Sequence, residues 1–384
     1  MIATISRISS WIDSDIESYR ETVRRFVTAE IVPNQDRWSE QQHVDRRLWN
    51  KAGELGLLAA DIPEEFGGSG GTFAHMAVLL EELAYAGDWA FGVNVHVIAS
   101  HYILNHGTPE QKRKYLPQLA SGSMVAAIAM TEPGTGSDLQ AVRTRAARQG
   151  DEYVINGAKT FISNGSMADL IIVVTKTDIA TGSKGVSLML LETKDAVGFR
   201  VGRTLNKLGQ KGADTCELFF DNVQVPVTNV LGGREGQGFY QLMTELPYER
   251  TAVAVGSVAT IETAVKLTVE YTRERKVFGR PLLEMQNTRF KLAEAQTQAV
   301  IARVFIDHCI QRMIDGTMDV VTASQAKLWT TETQGKVVDE CLQLFGGYGY
   351  MMEYPIARMY ADARVQRIYG GTSEIMKEII ARSL

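Results

Sequence analysis

The sequence predicts an α+β multidomain protein: an N-terminal α-helical domain (1–122), a middle antiparallel β-barrel or sheet domain (123–234) and a C-terminal four-helix bundle (235–384). Three observations predict it. Apolar residues recur at helical spacing through the first third. Short β-branched or leucine-rich runs, with no long helix between them, fill the middle. Helical periodicity returns at Gly238 and lasts to the end.

Ile16–Ile31 reads as a helix ended by Pro33, and Arg47–Ala59 as a shorter one stopped at Ile62-Pro63. A turn-rich patch, Pro63 to Gly71, precedes helical stretches at Met76–Ala86, Val93–Leu104 and Glu110–Leu119. Met124–Met130 has strand length. In Glu152–Ser163, the pair Asn156-Gly157 between β-formers predicts a hairpin turn, with Lys159–Asn164 as the strand after it. Leu170–Val174, Val186–Leu191 and Cys216–Pro226 complete the strands. Ala252–Glu274, Gln286–Asp315 and Ala323–Leu344 are long enough for a bundle.

A chain of 384 residues can bury a large core, and a net charge of −5 gives no electrostatic reason to expect nucleic acid. Cys216, Cys309 and Cys341 are far apart, form no CxxC and read as reduced thiols. Met1–Arg7 lacks the apolar core of a signal peptide, and no apolar run reaches membrane-spanning length. These features suit a bacterial cytoplasm, or a mitochondrial matrix for a processed chain. No GxGxxG opens a βαβ unit, and there is no P-loop and no HExxH. His96, His101 and His106 recur every five residues, which spreads them around a helix, so no metal site is expected.

Three segments carry potential chemistry. Met130-Thr-Glu-Pro-Gly-Thr-Gly-Ser-Asp138 follows a strand; by composition it is a surface turn, yet its backbone N–H groups and hydroxyls can bind carbonyl or phosphate oxygens. Alternation puts Phe161 and Ser163 on one face, which suits a flat heteroaromatic ring with polar edges; a core Phe beside an incidental Ser fits as well. Arg273–Pro281 is a basic cluster ending a long helix, favourable there whatever its role.

The segment Arg364-Val-Gln-Arg-Ile-Tyr-Gly-Gly-Thr-Ser-Glu374 resembles the C-terminal signature of the acyl-CoA dehydrogenase family, and the resemblance extends over essentially the whole chain. It implies the acyl-CoA dehydrogenase fold and FAD as cofactor. By this resemblance Met130 and Thr131 contact the flavin ring, and Ser137 lies at both flavin and thioester. Phe161 and Ser163 pack on the flavin, where many relatives have Trp and Thr. Arg275 and Phe278 reach the FAD of a neighbouring subunit; Gln286, Gln343, Gly346 and Gly347 hold its adenosine half; Thr372 and Glu374 complete the cofactor contacts. Val277 stands where some relatives have threonine. Arg250, Tyr369 and Gly371 match substrate contacts. Each FAD site then needs two chains, and a homotetramer built as a dimer of dimers is implied. The implied electron acceptor is an electron-transferring flavoprotein.

Most members carry a catalytic glutamate where this chain has Gly370. The chemistry needs a strong base, because a proton α to a thioester is weakly acidic; a carboxylate serves if burial raises its pKa. A few members, chiefly the long-chain and isovaleryl-CoA dehydrogenases, place the base on an earlier helix directly before an arginine. Glu249-Arg250 matches that position, and Glu245, one turn earlier, is the second candidate. On helix pattern alone Glu249 is a solvated surface glutamate. In the family the backbone N–H at position 370 donates to the thioester oxygen, a role that Gly370 retains. Pro247 is expected to disrupt the helix and widen the acyl channel. The implied reaction is FAD-dependent dehydrogenation of medium- or long-chain or methyl-branched acyl-CoA to trans-2-enoyl-CoA. The alternatives are a short branched-chain, isovaleryl-type dehydrogenase, a flavin oxidase or monooxygenase on the same fold, and a non-catalytic acyl-CoA-binding protein.

Overall fold

The computed structural model describes residues 9–384, so the reading of Met1–Arg7 lies outside the described residues. The first third is helical: α1 (Ser14–Phe26), α2 (Gln35–Gln41), α3 (Arg46–Glu54), α4 (Phe73–Tyr85), α5 (Val93–His106) and α6 (Pro109–Ala120). Their starts are written locally. The Asp13 carboxylate accepts from the Ile16 N–H of α1, and Thr108 with Gln111 forms a capping box on α6. Pro33 does not stop the chain: a π turn (Val27–Ile31) and a 3-10 turn (Val32–Asn34) lead directly into α2, since proline fits the first turn of a new helical segment. Helix α3 ends at Glu54, short of Ala59, where Gly56 takes φ +70° and reverses the chain.

The middle strands are β1 (Ala126–Ala129), β2 (Arg145–Gln149), β3 (Glu152–Ser163), β4 (Leu170–Lys176), β5 (Val186–Glu192), β6 (Phe199–Thr204) and β7 (Thr215–Pro226). They form one seven-stranded sheet in the order β1-β4-β2-β3-β7-β6, with β5 paired to β4. Most pairs are antiparallel, but β1 and β2 run parallel to β4, so the sheet is mixed. The long β1-to-β4 connection through β2 and β3 supplies the crossover that parallel pairing requires. Strands β4 and β5 are buried on both faces. Leu170, Ile172, Val174, Leu188 and Leu190 pack with the helical core. Ile171, Val173, Met189 and Leu191 pack into a second core with Ala127, Ile155 and Leu218. Burial on two faces explains their continuous apolar sequence.

The predicted hairpin at Asn156-Gly157 is not there. Strand β3 runs unbroken through it, and the turn lies one element earlier, at Gly150 (φ +62°) between β2 and β3. Asn156-Gly157 instead marks a bulge where the register against β7 shifts between Ile155 and Gly157. A Cβ at 157 would sit 2.5 Å from Thr144 Oγ1, so a closely passing neighbour, not a turn, demands the glycine.

The last third holds α7 (Gly238–Glu274), a two-strand hairpin of β8 (Lys276–Val277) and β9 (Arg280–Pro281), then α8 (Gln286–Ile314), α9 (Val320–Phe345), α10 (Pro355–Ala363) and α11 (Ser373–Ala381). Helix α7 packs on α4, α5, α8 and α9, while α10 and α11 lie on α9. Contrary to the sequence expectation, α7 is long and apolar enough to cross a membrane by length and composition; its apolar window is 72% buried inside the protein, which makes it the central core helix. Pro247 does not interrupt α7. The turns around it are fixed from outside: Glu245 binds Asn105 and His106, and the Tyr248 hydroxyl donates to Asp61. Those contacts offset the one helical hydrogen bond that a proline removes.

Candidate active site

Glu249 lies on α7 facing α5. The Tyr102 hydroxyl, fully buried, donates to Glu249 Oε1 at 2.9 Å. Burial raises the Glu249 pKa to about 7; the Glu245 charge one turn away adds to the rise, while the Tyr102 hydrogen bond and Arg250 oppose it. A carboxylate so poised can take a proton near neutral pH. Glu245, the second candidate, is already engaged. Asn105 Nδ2 donates to it at 3.0 Å and His106 Nε2 at 2.9 Å.

Gly370 and Gly371 are brought against the same turn of α7. Both take left-handed backbone, φ +64° and +95°. Arg250 Nε donates to the Gly370 carbonyl at 3.3 Å and its guanidinium reaches Ser324 Oγ at 3.2 Å. Lys327 Nζ donates to the Gly371 carbonyl at 2.7 Å. Two buried cations thus pin the glycine pair. A Cβ at Gly371 would meet Met376 Cε at 2.6 Å, whereas one at Gly370 would meet nothing within 4 Å. Position 370 therefore opens into free space. Tyr369 is half-buried beside this loop, Thr372 caps α11 by accepting from the Ile375 N–H, and Glu374 is exposed in its first turn.

The loop after β1 is anchored by a pair the sequence reading missed. Lys159 Nζ, buried on β3, donates to the Met130 carbonyl and to Glu132 Oε1, both at 2.9 Å. Glu132 also accepts from the Arg143 and Thr144 N–H groups, and the Thr131 carbonyl accepts from Thr160 N–H. Beyond this anchor Gly134, Gly136 and Ser137 are exposed, with open space where a Cβ would stand at each glycine. Next to it, Phe161 is 66% exposed at φ +60°, while Ser163 is half-buried. A non-glycine residue in left-handed backbone costs roughly 1 kcal/mol and is held there by its surroundings. An exposed aromatic kept in that conformation beside an open polar loop is a platform for a planar ligand.

A second surface lies at the far end of α7. Arg275, Val277, Gln343, Gly346 and Gly347 line one open cavity of about 630 Å³, with the Arg275 guanidinium 5.6 Å from the Tyr348 ring centre. A Cβ at Gly346 or Gly347 would meet nothing within 4 Å. Phe278, at the tip of the β8–β9 hairpin, is 99% exposed at φ +50°, and Gln286 is exposed at the start of α8. The predicted residues thus lie in three places: Glu249 with the Gly370 loop, the loop after β1 with Phe161 and Ser163, and the surface around this cavity. Their chemistry fits FAD: an aromatic platform with hydroxyls and free backbone for the ring, and a glycine-lined cavity with a guanidinium for a dinucleotide.

The three helical histidines go to separate partners. His96 meets the Ala126 N–H and the Leu119 carbonyl, His101 pairs with Asp61 at 3.0 Å, and His106 holds Glu245. Among the described residues no cluster of metal-ligating side chains occurs. Tyr102 escaped the sequence reading because it lies 147 residues from Glu249, on a helix that also carries Asn94, His96, Ser100, His101, Asn105 and His106, so no local pattern singles it out.

Comparison with known proteins gives the family of the chain. The acyl-CoA dehydrogenase N-terminal, middle and C-terminal domain profiles match residues 13–123, 127–223 and 236–384. The mitochondrial long-chain specific acyl-CoA dehydrogenase of Mus musculus is 46% identical over 374 residues, 97% of this chain and 86% of that protein. Mitochondrial isovaleryl-CoA dehydrogenase of Oryza sativa subsp. japonica is 37% identical over 383 residues, 99% of this chain and 93% of that protein. The crystal structure of an acyl-CoA dehydrogenase from Geobacillus kaustophilus, 42% identical, superposes with a TM-score of 0.95 over 98% of this chain and 99% of that one. The chain belongs to the acyl-CoA dehydrogenase family, whose members are FAD-dependent oxidoreductases.

Proposed function

We propose that the protein dehydrogenates medium- to long-chain or methyl-branched acyl-CoA to trans-2-enoyl-CoA, with Glu249 as the base. The observation that carries this reading is the Glu249 carboxyl, raised to about 7 by burial and tied through neighbouring Arg250 to the Gly370 loop. Met130, Thr131, Ser137, Phe161, Ser163, Thr372 and Glu374 would hold the flavin end of FAD. Arg275, Phe278, Gln286, Gln343, Gly346 and Gly347 would hold the adenosine half across a subunit interface, in a tetramer. A fully exposed phenylalanine at a hairpin tip is a reason to expect a partner chain there. FAD, when bound, supplies the acceptor for the β-hydride.

Glu249 takes the α proton onto its free carboxylate oxygen as the Cα–Cβ double bond forms. The Gly370 N–H donates to the thioester oxygen, where negative charge develops. Arg250 and Lys327 hold the Gly370 and Gly371 carbonyls and so restrain the loop that carries that N–H. Tyr369, Gly371 and Ser137 line the approach of the thioester. The electrons leave to an electron-transferring flavoprotein. The free space at Gly370 favours tolerance of a methyl branch, the isovaleryl-type reading; the higher identity to the mouse long-chain enzyme favours length. Anaerobic mixing of the flavin-loaded enzyme with straight and branched acyl-CoA thioesters, from short to long, separates them. Fastest bleaching with medium or long chains is expected. Fastest bleaching with isovaleryl-CoA selects the branched reading, none with any thioester refutes dehydrogenation, and rapid reaction of the reduced enzyme with oxygen selects an oxidase.

A further inference from the structure

We propose that Tyr102 is a positioning residue for the base: its phenol O–H holds Glu249 Oε1 and leaves Oε2 as the oxygen that receives the α proton. This rests on the assignment of Glu249 above. The two residues meet across the α5–α7 packing, at 2.9 Å, and Tyr102 has no exposed surface. A glutamate side chain has three rotatable bonds, so its carboxyl must be held before it can face one C–H bond. On α7 its neighbours do not hold it: Arg250 turns to Gly370 and Ser324, and Glu245 turns to Asn105 and His106. Tyr102 is the side chain that donates to it.

The phenol also opposes the effect of burial. Burial and the Glu249 charge push the Tyr102 pKa well above its ordinary value, so Tyr102 stays a donor across the working range. A donor to a carboxylate favours the charged form and so lowers the base's pKa. The groups facing this pair are Glu245 and Arg250 on α7, His106 on α5, and Lys327 on α9, which lies beside Arg250. None of them is altered by Tyr102→Phe, which removes one oxygen and keeps the ring in place.

The test compares native enzyme, Tyr102→Phe and Glu249→Gln, each loaded with flavin. Two readouts are used: the pH profile of anaerobic bleaching by acyl-CoA, and infrared titration of the Glu249 carboxyl, assigned by its loss in Glu249→Gln. Tyr102→Phe is expected to move both the acid limb and the carboxyl titration upward by about one pH unit. Bleaching then falls about tenfold below the native pKa and recovers at high pH. Unchanged limb and titration in Tyr102→Phe, with Glu249→Gln inactive, overturn the role of Tyr102 and leave the base assignment standing. Normal bleaching by Glu249→Gln overturns the base assignment itself.

Discussion

Glu249→Gln is expected to keep bound flavin and acyl-CoA affinity while slowing anaerobic flavin reduction by roughly 10²–10⁴-fold. The amide has the shape of the carboxyl, and its oxygen can still accept from Tyr102, so the α5–α7 contact survives. What it loses is the capacity to take a proton. The pH sign gives an independent check. The folded-state pKa of Glu249 is raised, so its contribution to stability is fully present below its ordinary pKa and is lost as pH rises through about 7. At pH 8 the native chain keeps a buried charge that Glu249→Gln lacks. The inactive variant is therefore expected to unfold at the same or a higher temperature than the native protein at pH 8. Loss of activity together with a lower unfolding temperature would instead indicate a damaged fold.

Arg303→Ala is expected to cost on the order of 3–5 kcal/mol, read by thermal or denaturant unfolding. Arg303 on α8 is buried and central to a charge network. Its Nη1 donates to Glu81 of α4, Nε and Nη2 hold Glu262 of α7 at 2.9 and 2.7 Å, and Nη2 also reaches the Tyr85 hydroxyl at 3.2 Å. Arg20 and Arg24 of α1 complete it through Glu81 and Glu82. Removing Arg303 strands the Glu262 carboxylate with only the Tyr85 hydroxyl and leaves Glu81 to Arg20 alone. Burial by itself would raise the Glu81 pKa, but Arg303 and Arg20 outweigh it and hold it below the ordinary carboxylate value. A depressed folded pKa gives stability that is present above the unfolded value and lost as pH falls through the folded one. The native protein should therefore lose this contribution on acidification below about pH 4.5, and the deficit of Arg303→Ala should shrink there.

How much of this was written locally differs from element to element. Helices α5, α6 and α8 were legible because apolar spacing acts within a few residues, and α6 adds its own capping box. The β4 and β5 strands were legible as apolar runs, although only the assembled sheet shows that both faces are covered. Asn156-Gly157 misled because the same pair serves a hairpin turn or a bulge, and the choice is made by Thr144 from another segment. Pro247 misled for a related reason: the restraints that keep α7 continuous come from Asp61, Asn105 and His106. At the candidate site, Glu249 and Gly370 could be paired by resemblance. Tyr102, which holds Glu249, and Lys327 and Ser324, which hold the Gly371 carbonyl and Arg250, lie on other helices and carry no sequence pattern that links them to the site.

Proton abstraction is assigned to Glu249, while residue 370 keeps only its backbone role. An acyl-CoA with a quaternary β carbon tests it most directly, since no hydride can leave and only the α proton can move. Flavin-loaded enzyme is incubated with such a thioester in deuterium oxide, and α-deuterium incorporation is followed by mass spectrometry. The native enzyme is predicted to exchange the α proton and Glu249→Gln to show only the background rate. Exchange by Glu249→Gln at the native rate would contradict the account.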